Sequence, residues 1–390
     1  MASRAQLNQQ AAFRLIASGQ ATSLSQLARA LRLPPNTLHG VVNRLLEGGA
    51  ICLDRTERYG RGRPIQHYRT RNRRPVLVAQ CHGSVWNAAV FVDNRRLGPL
   101  RVSNCSPLND AEEAIRVLRK ERDATARAAR LEPKQVAGVV LAINAVESEH
   151  GRVMTSSVLP WIREASAEQF SRAMGCRVQL QHAVGTVIPE LRARAARGVR
   201  SLAVLNVGDG VSAHAQCVDK VWGLHQAMPG EVGHVVAQPG GPRCGCGNRG
   251  CLEALISGPA MVRRVRTDLK RGVRTRLIAP PRRAPSELFA QLEALDTRDG
   301  DRYARALTKE FLHHVAWAVS IVTNMLAPDV IVLSGYALQS RDAWRQRILK
   351  RACEWTLFGK AASIRLEFPL LGPEDYLREL AASFAEVAHE

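Results

Sequence analysis

Apolar residues recur at helical spacing twice near the start of the chain. The segments TSLSQLARALRL (22–33) and PNTLHGVVNRLLEGG (35–49) each place leucines or valines three and four residues apart, which predicts two short amphipathic helices. Ser23 with Gln26 forms a capping-box pattern, and Pro35 suits a first helical turn. The outer face of the second helix is polar: Asn36, Thr37, His39, Asn43 and Arg44. This pattern predicts a helix-turn-helix whose second helix enters the major groove.

The segments on either side complete a winged helix. An upstream helix is predicted over 7–19, and AICLDRTERYGRGRPIQHYRT (50–70) has the pattern of two strands around a basic, glycine-containing turn. In that turn Arg58, Arg61 and Arg63 are candidates for contacts with phosphates or a narrow minor groove. A three-helix bundle with a hairpin and no DNA-binding role is the alternative interpretation.

From residue 76 onward, apolar strands alternate with longer helical segments. The predicted strands are 76–81, 88–94, 136–144, 178–184, 201–208 and 330–335, and the predicted helices are 110–130, 166–175, 186–197, 257–271, 285–296, 302–326 and 340–356. Alternation of this kind predicts an α/β body, and its two strand-rich halves are compatible with an internal duplication. The basic segment RNRRP (71–75) is the predicted linker.

Composition adds the expected compartment and partner. The chain has 390 residues, 46% of them hydrophobic and 23% charged, without a membrane-length apolar run or a signal peptide, so we expect a cytoplasmic protein with no membrane partner. Its net charge is +20, and residues 1–74 carry 13 arginines against three acidic residues. This asymmetry favours double-stranded DNA as a partner over a generally arginine-rich surface. The basic loop 271–285 is interpreted as solvated rather than DNA-contacting.

The segment 230–253, GEVGHVVAQPGGPRCGCGNRGCLE, concentrates candidate chemistry. His234, Cys244, Cys246 and Cys251 supply the four nitrogen and sulfur ligands of a closed tetrahedral zinc site, and intervening glycines let the backbone turn tightly. With all four ligands from the protein, the expected Zn²⁺ is structural and does not activate water. Glu231 and Glu253 flank the ligands and can accept hydrogen bonds from sugar hydroxyls. Unliganded buried cysteines are the alternative.

The combination of a winged helix with GEVGH and CGCGNRGCLE resembles the ROK family, which comprises bacterial repressors, uncharacterised members and sugar kinases. The resemblance extends over SSVLPWIREAS, VGDGVSAHAQCVDKVWGLHQAMPGEVGH and NMLAPDVIVLSG, and so over almost the whole chain. It implies a winged helix-turn-helix at 1–70 and, after the linker, a two-lobed actin-like ATPase (ribonuclease H-like) ROK domain at 76–390. The first lobe would comprise about 76–185 with a C-terminal segment, and the second 186–365 with the zinc loop. On this resemblance Glu231, His234 and Glu253 bind the sugar, and His234 also binds zinc.

Several positions depart from the pattern that the family's kinases share. At the strand end that carries their catalytic aspartate, this chain has Gln181, His182 and Ala183, with Ala183 at the position of the base. The first phosphate loop reads QCHGS (80–84), with Gln80 in place of the Mg²⁺-organising aspartate. The second reads GDGVSAH (208–214), and LSGY (333–336) replaces a glycine-rich stretch. We therefore expect no ATP binding and no kinase activity.

These observations predict a DNA-binding transcriptional regulator, a repressor of carbohydrate genes, that forms a homodimer or tetramer. Its ROK domain is expected to sense a sugar or sugar derivative without phosphorylating it. Two alternatives stay open. In one, the ROK domain is a ligand-independent module for dimerisation and protein interaction, since Gln181, His182 and Ala183 also replace sugar-contacting groups. In the other, the protein is an active sugar kinase.

Overall fold

The computed structural model of the chain describes most of its residues. These are 4–17, 21–48, 50–58, 64–70, 74–82, 85–92, 95–104, 108–147, 153–156, 159–162, 165–182, 199, 201–217, 220–222, 230–280, 285–297, 300–338, 342–357, 365–367 and 373–386. Among them, no helix combines the length and the apolar character needed to cross a membrane.

The N-terminal head contains three helices and a two-stranded antiparallel hairpin. Their bounds are α1 Arg4–Ala17, α2 Leu24–Leu31, α3 Pro35–Glu47, β1 Ile51–Glu57 and β2 Ile65–Thr70. The predicted capping box is present, since the Gln26 amide donates to Ser23 Oγ and the Gln26 side chain accepts from the Ser23 amide at 3.1 Å. Leu27, Leu38 and Val41 form the centre of a small apolar core. The predicted winged helix-turn-helix is therefore confirmed.

The first sheet of the body has three antiparallel strands extended by two parallel ones. Its elements, with the helices that connect them and a small hairpin, are β3 Val76–His82, β4 Val85–Val92, β5 Arg95–Asn104, α4 Ala111–Ala128, β6 Gly138–Ile143, β7 Val146–Glu147, β8 Val153–Thr155, α5 Ala167–Met174 and β9 Arg177–His182. The strand order is β5-β4-β3-β6-β9. Asp110 and Ser166 cap α4 and α5 by accepting hydrogen bonds from backbone amides.

The second sheet repeats this topology. Its elements and the helices around it are β10 Ser201–Val207, β11 Val211–Cys217, β12 Lys220–Trp222, α6 Leu252–Ile256, α7 Gly258–Lys270, α8 Ser286–Leu295, α9 Arg302–Leu326, β13 Val330–Ser334, α10 Asp342–Cys353, β14 Arg365–Glu367 and α11 Pro373–Glu386. The order β12-β11-β10-β13-β14 again places an antiparallel trio beside two parallel strands. Two sheets with one topology agree with the duplicated, two-lobed fold that the sequence suggested.

Apolar side chains cover both faces of the first sheet. Leu77, Leu141 and Phe170 belong to the core on one face, together with residues of α4 and α5. The other face is covered by α11, whose Leu377 and Phe384 pack against β3, β4 and β6. The same helix touches the second sheet, where the Tyr376 hydroxyl lies 3.0 Å from Ser334 Oγ, and it contacts α1 of the head. Helix α11 is thus the element at which the head and both sheets meet.

The described helices and strands follow the sequence predictions closely in the body. The predicted helix 302–326 coincides with α9, and five of the predicted strands lie within two residues of β3, β6, β9, β10 and β13. The sequence patterns did not predict β5, β7, β8, β11, β12 and β14, the short helix α6, or α11. The predicted helix 186–197 lies outside the described residues. The boundaries placed at 70, 75 and 185 stay predictions.

Candidate functional site

The outward face of α3 is polar and exposed. Leu38, Val41 and Leu45 turn inward and are buried in the head. All five α3 side chains predicted to contact DNA are exposed: Asn36, Thr37, His39, Asn43 and Arg44. Amide, hydroxyl and guanidinium groups can donate or accept hydrogen bonds at base edges and phosphates. The geometry of α3 therefore suits insertion into a major groove.

The hairpin that follows α3 neutralises some of its own arginines. Arg55 Nε donates to Glu57 at 2.8 Å, and Arg69 Nε lies 3.1 Å from Asp54. Arg58, directly after β1, is exposed and has no acidic partner among the described residues. Arg61 and Arg63, which were also predicted to contact DNA, lie outside the described residues.

One cluster of metal-binding side chains lies in the second lobe. The ligand atoms of His234, Cys244, Cys246 and Cys251 all lie within 4.8 Å of one another. A tetrahedron with metal–sulfur bonds near 2.3 Å has sulfur–sulfur edges of about 3.8 Å and sulfur–nitrogen edges of about 3.6 Å. The Cys246 and Cys251 sulfurs are 3.7 Å apart, and Cys244 Sγ is 3.6 Å from His234 Nδ1. This cluster can therefore bind a metal ion.

The chemistry of the thiols agrees with a metal centre. Cys246 and Cys251 do not form a disulfide, since their sulfurs are 3.7 Å apart and a sulfur–sulfur bond is about 2.05 Å long. Burial raises the pKa of the Cys244 thiol to about 12 and raises that of Cys251 as well. Because burial favours the neutral thiol, thiolate ligands at these positions would need a cation to balance their charge, and a bound metal would supply it.

The backbone of the cysteine loop requires glycine at one point in particular. Gly250 has a φ of +74°, and a Cβ there would lie 1.6 Å from the Gln238 carbonyl oxygen. The Gly250 carbonyl accepts hydrogen bonds from the amides of Ala237 and Gln238, which ties the two ends of the loop together. Close approach of these segments brings Cys251 beside the other ligands.

His234 connects the metal cluster to a carboxylate. Its Nδ1 faces Cys244, and its Nε2 lies 3.6 Å from Glu231 Oε2. The side chains of Glu231 and His234 are 22% and 21% exposed, so a ligand can reach both. Burial raises the pKa of Glu231, and the nearby His234 opposes that shift. One imidazole can thus hold a metal through one nitrogen and face a ligand through the other.

Glu253 has a different environment from Glu231. It is buried, its Oε2 accepts a hydrogen bond from the Val211 amide at 3.1 Å, and Oε1 lies 3.8 Å from Cys244 Sγ. The carboxylate therefore joins the metal loop to the first residue of β11. The structure links the three predicted sugar-binding residues through neighbouring contacts: Glu231 lies beside His234, and Cys244 lies beside both His234 and Glu253. Glu253, however, is already hydrogen-bonded to the Val211 amide.

Two histidines from different sheets meet beside this group. His182 ends β9 of the first sheet, and His214 lies within β11 of the second; their ring centroids are 4.6 Å apart. Both lie at positions that depart from the kinase pattern, and His182 is also among the residues that replace sugar-contacting groups. Ala183, at the position of the kinase base, lies outside the described residues.

The turn between β10 and β11 is closed by a tyrosine. Tyr336 donates a hydrogen bond to Asp209 Oδ1 at 2.7 Å, and a Cβ on Gly258 would lie 2.0 Å from the Tyr336 hydroxyl oxygen. Burial, with the neighbouring Asp209 charge, raises the pKa of Tyr336 well above its usual range, so that the hydroxyl keeps its proton. Tyr336 therefore fills the space between this turn and the start of α7. Because Asp209 and Tyr336 are far apart in the sequence, no local pattern could have predicted their contact.

The chain belongs to the ROK family, because the family model matches residues 107–364, more than half of the chain. Among curated proteins, it is 28% identical over 192 residues to glucokinase of Thermotoga maritima, a match covering 49% of this chain and 60% of the relative. It is 27% identical over 159 residues to the DNA-binding transcriptional dual regulator NagC of Escherichia coli, covering 40% and 36%. The chain thus spans less than two thirds of either relative.

Solved structures share the fold over a larger part of the chain. A ROK family transcriptional regulator, described as a homologue of the Escherichia coli MLC protein, superposes with a TM-score of 0.69 at 20% identity and covers 98% of this chain and 96% of its own. A ROK family glucokinase from Streptomyces griseus, in complex with glucose and AMPPNP, has a TM-score of 0.60 at 18% identity and covers 80% and 99%. At these identities the likeness establishes the fold.

Proposed function

We propose that the protein is a DNA-binding transcriptional regulator, a repressor of carbohydrate genes, whose ROK domain senses a sugar or sugar derivative without phosphorylating it. The observation that carries the proposal is the face of α3: its apolar residues form the core of a winged helix-turn-helix, and its five polar residues are exposed. The relatives support it, since NagC is named as a DNA-binding regulator and the MLC homologue as a transcriptional regulator. The head is taken to be residues 1–70, joined by 71–75 to the ROK domain.

The sugar site of the proposal is the contact group around His234. Glu231 and His234 are partly exposed and adjacent, and both can bond to sugar hydroxyls. A Zn²⁺ ion held by His234, Cys244, Cys246 and Cys251 would fix the loop that carries them. Because four protein ligands would close its coordination shell, the ion would supply structure and not an activated water.

Two features support the absence of phosphoryl transfer. Gln80, at the position of the Mg²⁺-organising aspartate, is a neutral side chain buried within β3. The turn 208–210 holds Asp209, whose charge would repel a triphosphate, and this carboxylate is already bonded to Tyr336. A coupled assay that detects ADP release across a sugar panel tests this part, and turnover with any sugar would refute it.

The proposed regulation is a shift between two lobe arrangements. A sugar that binds one arrangement better changes the spacing of the recognition helices in a homodimer, and so their fit to half-sites one helical turn apart. Contacts of α11 with both sheets and with α1 support a path from the lobes to the head.

One observation favours a second candidate, a ROK domain that is a ligand-independent dimerisation and interaction module. Glu253 is buried and bonded to Val211, which leaves a smaller set of groups for a sugar. The discriminating experiment is a thermal-shift screen of zinc-loaded protein with sugars, amino sugars and their phosphates, repeated with Glu231→Ala and with the exposed Glu287→Ala as matched control. A shift lost only in Glu231→Ala supports the sensor; no shift with any compound favours the module.

DNA binding is tested separately. Selection of bound sequences from a random double-stranded pool should converge on a palindromic site, because a symmetric dimer presents two α3 helices. Recovery of unrelated sequences at every round would refute a sequence-specific regulator.

A further inference from the structure

Strands β1 and β2, with the turn between them, form the wing of the head. On one edge β2 pairs with β1, and on the other it meets the segment that precedes α2. There the Tyr68 amide donates to the Thr22 carbonyl at 2.7 Å, and Ser23 and His67 form an antiparallel bridge. The basic turn that follows β1 is therefore attached to the start of α2 through β2.

The side chain of His67 contacts both neighbours of β2. The residue is only 6% exposed; its Nδ1 lies 2.8 Å from Thr22 Oγ1, and its Nε2 lies 3.3 Å from Glu57 Oε2. The contact with Glu57 has the distance of an ion pair without the alignment of a hydrogen bond. One buried ring thus reaches from the segment before α2 to the last residue of β1.

The Thr22 end of this link belongs to the cap of α2. Thr22 Oγ1 donates to Gln26 Oε1 at 3.2 Å, and the same oxygen accepts from the amides of Thr22 and Ser23 at 2.8 and 3.1 Å. Because the hydroxyl proton of Thr22 points to Gln26, the hydroxyl oxygen is left to accept from His67 Nδ1. His67 is therefore hydrogen-bonded to the group of side chains that caps α2.

The Glu57 end of the link lies beside the basic turn. Glu57 Oε1 accepts from Arg55 Nε at 2.8 Å, while Oε2 faces His67. Arg58 follows directly and is exposed. The contacts of the Glu57 side chain therefore fix the point at which the chain leaves β1 and enters the turn with the predicted DNA-contacting arginines.

A histidine at this buried position needs an explanation beyond packing. Burying a polar ring costs free energy unless its nitrogens find partners, and an aliphatic side chain would fill the space without that cost. The neighbouring Tyr68 already contributes to the apolar core of the head. What a histidine adds is that one side chain contacts a helix cap and the wing at once.

We propose that His67 is a positioning residue for DNA binding, which fixes the wing relative to the capped start of α2 so that Arg58 meets a phosphate when α3 lies in the major groove. The proposal rests on the DNA-binding function above and adds the residue that couples its two contact surfaces. His67 is buried and does not itself touch DNA. Loss of the link removes the phosphate contact of the wing and leaves the base contacts of α3 in place.

The test is a double-mutant cycle of His67→Leu and Arg58→Ala in the full-length protein. Binding to the duplex recovered by the selection above is titrated at several salt concentrations. In the wild type, Arg58→Ala should lower the salt dependence of the binding constant by roughly one phosphate contact. His67→Leu should lower it by the same amount, and adding Arg58→Ala should then change it little, which amounts to a coupling of at least about threefold in the binding constant.

A matched pair at the other end of the link separates positioning from stability. Thr22→Val removes the hydroxyl at nearly constant shape and should repeat the effect of His67→Leu, whereas Thr22→Ser keeps the hydroxyl and should retain the salt dependence of the wild type. The pair also carries the test if His67→Leu does not fold. A lower melting temperature alone would indicate a merely structural role, which leaves the effect of Arg58→Ala unchanged.

Each result decides the proposal. Folded His67→Leu protein in which Arg58→Ala still removes one phosphate contact overturns it, and so do equal salt dependences of Thr22→Val and Thr22→Ser. If Arg58→Ala has no effect in the wild type, the wing makes no such contact, and the proposal falls while sequence-specific binding through α3 stands. Failure of the wild type to bind any duplex overturns both this proposal and the DNA-binding function.

Discussion

Replacement of Cys246 by serine tests the metal centre with little interference from packing. Cys246 is exposed, whereas Cys244 and Cys251 are buried, so Cys246→Ser removes one metal ligand without opening a cavity in the core. The two ligand–ligand distances near 3.7 Å match a tetrahedral site, which predicts about one zinc per chain in the wild type. The variant should retain far less.

The size of the expected loss in stability follows from mass action. Free zinc at about 1,000 times its dissociation constant stabilises the native state by roughly 4 kcal/mol. For a domain as long as residues 76–390, each kcal/mol shifts the melting temperature by about 1.5 °C, so stripping the metal should lower it by about 6 °C. Cys246→Ser should show the lower melting temperature with or without added zinc.

The assay combines elemental analysis with thermal unfolding in zinc and in a chelator. Cys353→Ser is the matched control, because Cys353 lies in α10, outside the cluster, and should keep both zinc and the metal-dependent stability. Purified wild-type protein that contains no metal and melts at the same temperature in zinc and in chelator would refute the assignment of a structural zinc site.

Three further outcomes are expected. Asn43→Ala should weaken operator binding by about 1–3 kcal/mol with little change for random DNA, whereas Arg58→Ala should weaken binding to both DNAs and lower the salt dependence of the binding constant by roughly one phosphate contact. Competition titrations at several salt concentrations measure these effects. Equal effects of Asn43→Ala on operator and random DNA would contradict the role given to α3. Phe384→Ala should lower the free energy of unfolding by about 3–5 kcal/mol, because the ring is buried against Gly138 of β6. Denaturant unfolding measures this loss, and a loss below about 1 kcal/mol would contradict the packing of α11. Gly250→Ala should lower zinc content and stability together, since its Cβ would overlap the Gln238 carbonyl; unchanged zinc content would contradict the loop geometry.

The sequence was most informative where a local pattern determines the structure. The capping box of Ser23 and Gln26 and the long amphipathic helix 302–326 depend on residues three or four apart, and both are present in the fold. The ligand set of the metal cluster was equally evident, since its four residues lie within one short segment. Patterns of this kind need no knowledge of the tertiary structure.

The sequence patterns did not predict strands that form only because a neighbouring strand pairs with them. Strand β5 is an edge strand that is largely exposed and contains Gly98 and Pro99, a composition that favours a loop. Pairing of β5 with β4 supplies the hydrogen bonds that make it a strand. The contacts of His182 with His214 and of Asp209 with Tyr336 were missed for another reason: each joins residues far apart in sequence, whose meeting depends on how the sheets and their connections pack.

The position of α11 also sets an order for folding. One face of the first sheet, with Val78, Val140 and their neighbours, is covered by Leu377 and Phe384. A ribosome makes β3 to β9 first and then the whole second sheet before α11 emerges, so the apolar face stays open during that time. Exposed apolar surface on a nascent sheet promotes aggregation and chaperone binding. Synthesis of this protein should therefore depend on chaperones until the C-terminal helix docks, even though the head can form its own core at the start.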